Sequence, residues 1–231
     1  CMAAVEKDAA AFARLLAHIK ETDRSQTVIM MQVENEVGLL GTERDYCSQA
    51  EKAFAETVPD SLLAAADQVG WIHREEINAA GKSDWTEIFG EEAGEIFSAW
   101  CFASALERIA SVGRTEYPLP CYANVWLKQF PWYAGSYPSG GAVDDMLWVW
   151  KATAPSLCTI APDIYLPYVA DIMEIYCRLD NPLLIPEVRK DAVTASYAFY
   201  AFMNHHALCY APFGIEDLWQ EEEIRLPEEV M

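Results

Sequence analysis

Segments of helical periodicity alternate with short, nearly continuous apolar runs along most of this chain. No other feature of the sequence constrains the fold as much. Residues 3–20 place Val5, Phe12, Leu15, Leu16 and Ile19 on one helical face, and Thr22-Asp23-Arg24-Ser25 breaks the pattern. Residues 27–33 follow as an almost unbroken apolar run, which suits a strand buried on both faces in a parallel sheet better than a half-exposed antiparallel strand. The motif recurs. Helical patterns over 91–111, 144–154, 168–177 and 192–205 precede apolar runs at 121–127, 157–160 continuing through 161–165, 182–187 and 208–212. With a short helix near 61–66, the reading is five strands and about six helices. The class is α/β with a parallel sheet.

Every run ends in polar or aromatic residues: Glu36, Asn124 with Trp126, Asp163 with Tyr165, Glu187, and Glu216 with Asp217. Functional groups at the carboxyl ends of many strands fit a (β/α) barrel, where the loops after the strands build the site. A doubly wound open sheet would gather its site at one switch point, often behind a Gly-rich loop, and no G-x-G-x-x-G or Walker-type loop occurs. The barrel reading is therefore preferred. Two intervals, 38–90 and 128–142, are too long for simple connections. Both follow strand ends, so both are expected to overhang the site face.

Charge narrows the partners. The 231 residues carry 16 Lys+Arg against 36 Asp+Glu, a formal net charge of −20. Such an acidic chain is repelled by nucleic acid and by anionic membranes, and it suits a neutral ligand better than an anionic one. No apolar run approaches the roughly 18–20 residues of a membrane-spanning helix. The seven cysteines are scattered, without C-x-x-C or Cys/His metal spacing. They read as free and mostly buried thiols, which leans toward a reducing, cytoplasmic setting. No secretory signal pattern precedes the first helix, and the first residue is Cys1. The expectation is a piece of a longer protein, so the compartment stays open.

The strongest chemical signal is the pair Glu36 and Glu187, each expected at the end of a buried strand and facing one barrel mouth. Two carboxyls facing each other across a neutral substrate fit glycoside hydrolysis, in which one protonates the leaving oxygen and the other attacks the anomeric carbon. Their environments must then hold one protonated and one ionised near neutral pH. A retaining reaction needs them about 5–5.5 Å apart. A glutamate at a strand end is commonly only a solvated or ion-paired group. By strand alternation Glu34 shares a face with Glu36, so pattern alone does not separate the two.

Gln32-Val33-Glu34-Asn35-Glu36-Val37-Gly38 resembles the acid/base signature of family 35 glycoside hydrolases, the β-galactosidases of the large (β/α)8 clan with an Asn-Glu pair. The resemblance runs through Tyr122-Ala123-Asn124-Val125-Trp126-Leu127, Ala161-Pro162-Asp163-Ile164-Tyr165-Leu166-Pro167, Leu184-Ile185-Pro186-Glu187-Val188-Arg189 and Pro212-Phe213-Gly214-Ile215-Glu216-Asp217. These resemble a microbial subgroup, family 35 or family 42-like, that carries an extra C-terminal β domain. The resemblance implies that Glu36 is the acid/base at the end of the fourth strand and Glu187 the nucleophile at the end of the seventh. It implies that Asn35 binds the hydroxyl next to the anomeric carbon and that Tyr165 donates a hydrogen bond to Glu187. Asn124 and Trp126 become sugar contacts, and Glu216 with Asp217 bind a hydroxyl or close the barrel rim.

Under this resemblance the chain is a partial TIM (β/α)8 barrel. Residues 1–231 form its C-terminal part, strands four to eight with their helices, without strands one to three. The implied activity is a retaining β-galactosidase that releases terminal β-linked galactose from a neutral oligosaccharide or glycoside, without metal or organic cofactor. Its partners are the missing barrel segment and a C-terminal domain. Two alternatives stay open: a related glycosidase for another terminal sugar such as arabinose or fucose, and a catalytically incomplete carbohydrate-binding fragment. Trp132, Tyr133 and Tyr137 either stack on sugar rings or pack their loop on the barrel. His205-His206 reads as a helix C-terminus rather than a ligand pair.

Overall fold

A computed structural model describes residues 2–129 and 132–219; Cys1, Phe130, Pro131 and residues 220–231 lie outside it. The chain opens with α1 (Met2–Thr22) and β1 (Met31–Gln32), then crosses α2 (Ser48–Phe54), α3 (Asp60–Gln68), α4 (Arg74–Ala80) and α5 (Trp85–Phe89) to the long α6 (Ala93–Glu116). Next come β2 (Cys121–Trp126), α7 (Leu147–Thr153), β3 (Leu157–Ile164), α8 (Val169–Tyr176), β4 (Leu184–Val188), α9 (Ala192–His205) and β5 (Cys209–Pro212). The five strands form one sheet in the order β1-β2-β3-β4-β5, and every neighbouring pair is parallel. The sheet is curled into a half barrel. Parallel pairing of consecutive strands requires a crossover between each pair, and helices supply them.

The apolar runs of the sequence are the sheet, but β1 is much shorter than the run over 27–33. Extending its register back from Met31↔Cys121 sets Ile29 beside Leu119, within the stretch Pro118-Leu119-Pro120. Two prolines there offer no N–H to a neighbouring strand. The ladder therefore begins where Met31 N–H donates to Pro120 O at 2.9 Å and ends where Val33 N–H donates to Tyr122 O at 2.9 Å. The runs at 157–160 and 161–165 are one strand, β3, with Pro162 inside it.

The interval 38–90 holds more structure than the one short helix expected. Its helices build an aromatic cluster against α6, with Trp85 edge-on to Phe97 at 5.1 Å and Phe54 edge-on to Phe97 at 5.2 Å. Asp84 caps α5 by accepting from Glu87 N–H at 2.9 Å, a contact of local sequence that the hydrophobic period does not reveal. The cysteines are free among the described residues, as expected, but they are not mostly buried: Cys121 is, whereas Cys47, Cys101 and Cys158 are exposed. α9 ends at His205, with His206 in the left-handed conformation that closes it. Among the described residues no helix is long and apolar enough to cross a membrane.

α1 lies on α6 through Phe12 and Leu16 at Gly113, where a Cβ would fall 2.4 Å from Phe12 Cδ1 and 2.9 Å from Leu16 Cδ1. The glycine lets the two helices approach at the start of the sheet. A Glu6–Arg108 pair, both oxygens at 2.9 Å, adds only the small contribution of a half-exposed ion pair. Gly113→Val is expected to destabilise the chain by about 1–3 kcal/mol by overpacking this contact, despite valine's better helix propensity. Urea unfolding followed by far-UV circular dichroism measures it, and an unchanged midpoint would mean that the helices do not need this close approach.

Candidate functional site

The carboxyl ends of the strands carry a connected polar cluster, and a side chain from β2 is its hub. Asn124 is buried, in register with Ala161 of β3. Its Oδ1 accepts from Glu36 N–H at 3.0 Å, and its Nδ2 donates to Asn35 Oδ1 at 2.9 Å and to Asp163 Oδ2 at 2.7 Å. Gln32 at the end of β1 donates to Glu34 O at 2.9 Å and Asn35 Oδ1 at 3.1 Å. These bonds fix a sharp turn after β1. Glu34 and Glu36 both have left-handed backbones, φ 58° and 43°. Such conformations cost about 1–2 kcal/mol per residue for an L side chain and persist where surroundings hold them.

Glu36 is therefore presented by a turn beyond β1 rather than by the end of a strand. The expected sharing of one strand face by Glu34 and Glu36 does not hold, because no extended strand continues through them: Glu34 is exposed and Glu36 half-buried. Gly38 closes the turn at φ 156°, where a Cβ would sit 2.3 Å from Pro138 O. Leu39 and Ser139 exchange both backbone hydrogen bonds at 2.9 Å, and Gly41 N–H donates to Gly135 O at 2.7 Å. The long loop after β2 is thus sewn to the turn that carries Glu36.

From the other side, Asp163 of β3 is paired in register with Glu187 of β4, so the two side chains share one face of the sheet. Two residues beyond Asp163, Tyr165 donates its hydroxyl to Glu187 Oε2 at 2.9 Å. Desolvation and then that bond raise the Tyr165 phenol, which keeps it a donor. Asp163 is the perturbed acid of the cluster. Burial first, and then the neighbouring Glu36 and Glu187 carboxylates, push it far above the carboxylate range, to about 9, against the opposing bond from Asn124. Its Oδ1 is buried with no donor. Asp163 thus lies in register with Glu187 and is joined through Asn124 to the turn that carries Glu36, and its raised pKa favours the neutral acid near neutral pH.

Of the residues named from sequence, Asn35, Glu36, Asn124, Tyr165 and Glu187 converge on this cluster. Trp126 lies two residues beyond Asn124 on the same strand and is 42% exposed, at the rim. Glu216 is exposed in the 3-10 turn Ile215–Trp219 after β5, and no hydrogen bond joins it to the cluster. Tyr137 does not face a ligand. It is fully buried and donates to the Glu95 carboxylate at 2.7 Å, so it packs its loop on α6. Trp132 and Tyr133 of the same loop are exposed.

Sequence reasoning missed Asp163 as a member of the site. The available signal was an acid inside the apolar run of β3, two residues before Tyr165. A cleft of about 320 Å³ lined by Lys128, Asp144, Asp145 and Tyr168, among others, shares no residue with the cluster. Among the described residues no group of three or more His, Cys, Asp and Glu is arranged to hold a metal ion. Chemically, the cluster offers one carboxyl, Glu187, held by a tyrosine hydroxyl, with a buried acid, Asp163, in register beside it and a second glutamate on the turn held by Asn124. No family model matches the chain, and no curated protein matches it by sequence.

Asn124→Ala would leave Glu36 N–H and Asp163 Oδ2 without their partners in a buried setting. A loss of about 2–4 kcal/mol is expected. Hydrogen exchange of residues 33–38 should accelerate with it, and unchanged protection there would mean that the turn holds itself.

Asp163 also sets a pH dependence. Its folded pKa lies above the unfolded value of 3.8, so the folded chain binds the extra proton. Its contribution is fully present below the unfolded value and is lost as pH rises toward about 9. Asp163→Asn mimics the protonated form. It should flatten this decline and stabilise the chain by about 1 kcal/mol or more on the alkaline side of neutrality. Urea midpoints of both proteins across the window measure it, and parallel curves would contradict a proton on Asp163.

Proposed function

We propose that this chain is the larger part of the catalytic barrel of a retaining glycoside hydrolase, β-galactosidase-like and related to family 35. Glu187 is the nucleophile and Glu36 the acid/base. The observation that carries the reading is that both glutamates lie at the carboxyl ends of one parallel sheet, with Asp163 in register with Glu187 and bonded to the Asn124 that holds the Glu36 turn. Glu187 is held by Tyr165, and Glu36 is anchored through its backbone by Asn124. This is the division of labour a double displacement needs. A carboxylate steadied by a hydroxyl donor attacks the anomeric carbon, and a second carboxyl delivers a proton to the departing oxygen and later removes one from water. Asn35 and Trp126 at the rim are the proposed sugar contacts, with Glu216 on the loop after β5. A neutral glycan fits a mouth already crowded with carboxylates better than an anionic ligand does.

In this reading the five strands are the fourth to eighth of a (β/α)8 barrel, and a further β/α segment closes it. Support comes from the two flanks. Within the described residues β1 and β5 each pair on one side only. Beside them Ile29 on one flank, and Phe199, Met203, Leu208 and Phe213 on the other, stand largely exposed. Open strand edges with apolar neighbours are a liability that proteins normally cover. The same flanks favour a second reading of the chain by itself: it holds the reacting groups and little of the wall that grips a sugar, and so binds or turns over substrate poorly.

The test uses the parent protein, in which the closing segment is joined to this chain. An activated 2-fluoro-galactoside should label Glu187 one to one. Glu187→Gln should abolish the label, and Glu36→Gln should slow turnover of substrates with poor leaving groups by about 10²–10⁴-fold. The 231-residue chain alone should show little turnover. Labelling elsewhere in the parent protein would overturn the assignment. Brisk hydrolysis by the isolated chain, abolished by both substitutions, would overturn the need for a closing segment.

A further inference from the structure

The base of the loop after β2 has two attachments. One is the backbone stitch to the turn of Glu36. The other is to α6 and is made by Tyr137 and Glu95. Both residues are buried, Tyr137 completely and Glu95 to 3% exposure. The Tyr137 hydroxyl lies 2.7 Å from each oxygen of the Glu95 carboxyl, and Gly140 N–H donates to Glu95 Oε1 at 3.4 Å. Burial and the Glu95 bond hold the phenol protonated, so it is the donor. Trp150 Nε1 donates to Gly140 O at 3.2 Å. A turn further along α6, Ser98 Oγ donates to Glu43 O at 2.8 Å, and a Cβ at Gly140 would fall 2.6 Å from Ser98 Cβ. The first two turns of α6 thus touch both the loop and the chain that leaves the Glu36 turn. Packing alone does not call for an acid at Glu95. An apolar side chain of similar size would fill the space without desolvating a carboxyl. What the carboxyl adds is a fixed position for one hydroxyl and one backbone amide.

We propose that Glu95 and Tyr137 are positioning residues for Glu36, acting through the base of the loop. The proposal rests on the reading of Glu36 as the acid/base. The route is short. Tyr137 and Gly140, both bonded to Glu95, bracket Pro138 and Ser139. Ser139 exchanges both backbone bonds with Leu39 at 2.9 Å, and a Cβ on Gly38 would fall 2.3 Å from Pro138 O. Leu39 is three residues beyond Glu36, whose own N–H is held by Asn124 at 3.0 Å. The turn is therefore supported from β2 on one side and from α6, through the loop, on the other. Left-handed backbones at Glu34 and Glu36 make it a turn that needs such support. With the Glu95 bond removed, the loop base is free to shift, and the Glu36 carboxyl shifts with it. A proton donor must meet the leaving oxygen within hydrogen-bond reach, so a displacement of about 1 Å lowers the rate by about 10²-fold. Glu187 takes no part in this, because Tyr165 holds its carboxyl from just past β3. The loss falls on proton delivery and spares nucleophilic attack.

The test variant is Tyr137→Phe, which keeps the ring and removes the hydroxyl. In the 231-residue chain, amide hydrogen exchange at Leu39, Gly41 and Ser139 should accelerate about 10-fold or more, while the amides between β3 and β4 keep their protection. Unchanged exchange at the three amides would overturn the proposal. So would a uniform acceleration across the sheet, the mark of general destabilisation. The unsubstituted chain supplies a check that needs no variant to fold. Leu39, Gly41, Ser139 and Gly140 should open as one unit, and separate openings of loop and turn would overturn the proposal. In the parent protein, Tyr137→Phe should lower kcat/KM by about 10–10²-fold for galactosides with poor leaving groups. It should leave kcat/KM nearly unchanged for an activated aryl galactoside, whose departing oxygen needs no proton. Equal losses on both substrates, or none on either, would overturn the positioning role. Failure of the fluorosugar label with exchange accelerated as expected would remove the glycosidase reading and leave the anchor of the turn standing.

Discussion

The hydrogen bond from Asn124 to Asp163 links β2 to β3 where the strands run out of the sheet, and the arrangement of the site hangs from it. It fixes the orientation of Asn124, whose other contacts hold the Asn35–Glu36 turn. It also fixes Asp163, whose register partner is Glu187. A parallel sheet makes this economical. All its strands finish on one side, so a single buried amide can tie a turn from the first strand to carboxyls from the third and fourth. The arrangement also explains why two residues with unfavourable backbone conformations persist at Glu34 and Glu36. The amide of Glu36 is held from β2, and the oxygen of Glu34 from Gln32.

The cluster has the character of a preorganised polar network. Asn124 and Asp163 at its centre are buried, so their bond is worth more, and costs more to disturb, than the same contact on the surface. Burial raises the pKa of Asp163, which eases its place in register with Glu187. The long helix α6 carries the aromatic cluster at Phe97 and, through the Gly113 contact, packs against α1.

Much of the architecture was legible in the residues. Alternating periodicities gave the strands, their parallel sense and most of the helices. The polar strand ends pointed to the face that carries the cluster. What was not legible follows from local chemistry that periodicity does not encode. The shortness of β1 comes from Pro118 and Pro120 on its neighbour. The helices between 48 and 89 are set by a cap at Asp84 and by packing on Phe97, and the hydrophobic period was too broken to show them. Glu36 was expected at a strand end and sits on a left-handed turn instead, because Gln32 and Asn124 bond to that turn. For Tyr137 the sequence left stacking on a sugar and packing its loop both open; it packs, because its hydroxyl meets Glu95, an acid that gives no sign of burial in the sequence. Asp163 passed as one more polar strand residue. Its importance depends on which side chains the neighbouring strands bring opposite it.

The stitching of the loop after β2 to the Glu36 turn has a consequence for how such a protein can diversify. The base of the loop, at Pro138 and Ser139, is in backbone contact with Gly38 and Leu39, while Trp132 and Tyr133 stand out from it into solvent. Changes around those two aromatics can reshape what meets the mouth of the sheet without displacing the carboxyls. A change at Pro138 is transmitted directly to the turn. Room for variation and constraint on the turn thus fall at two ends of the same short segment.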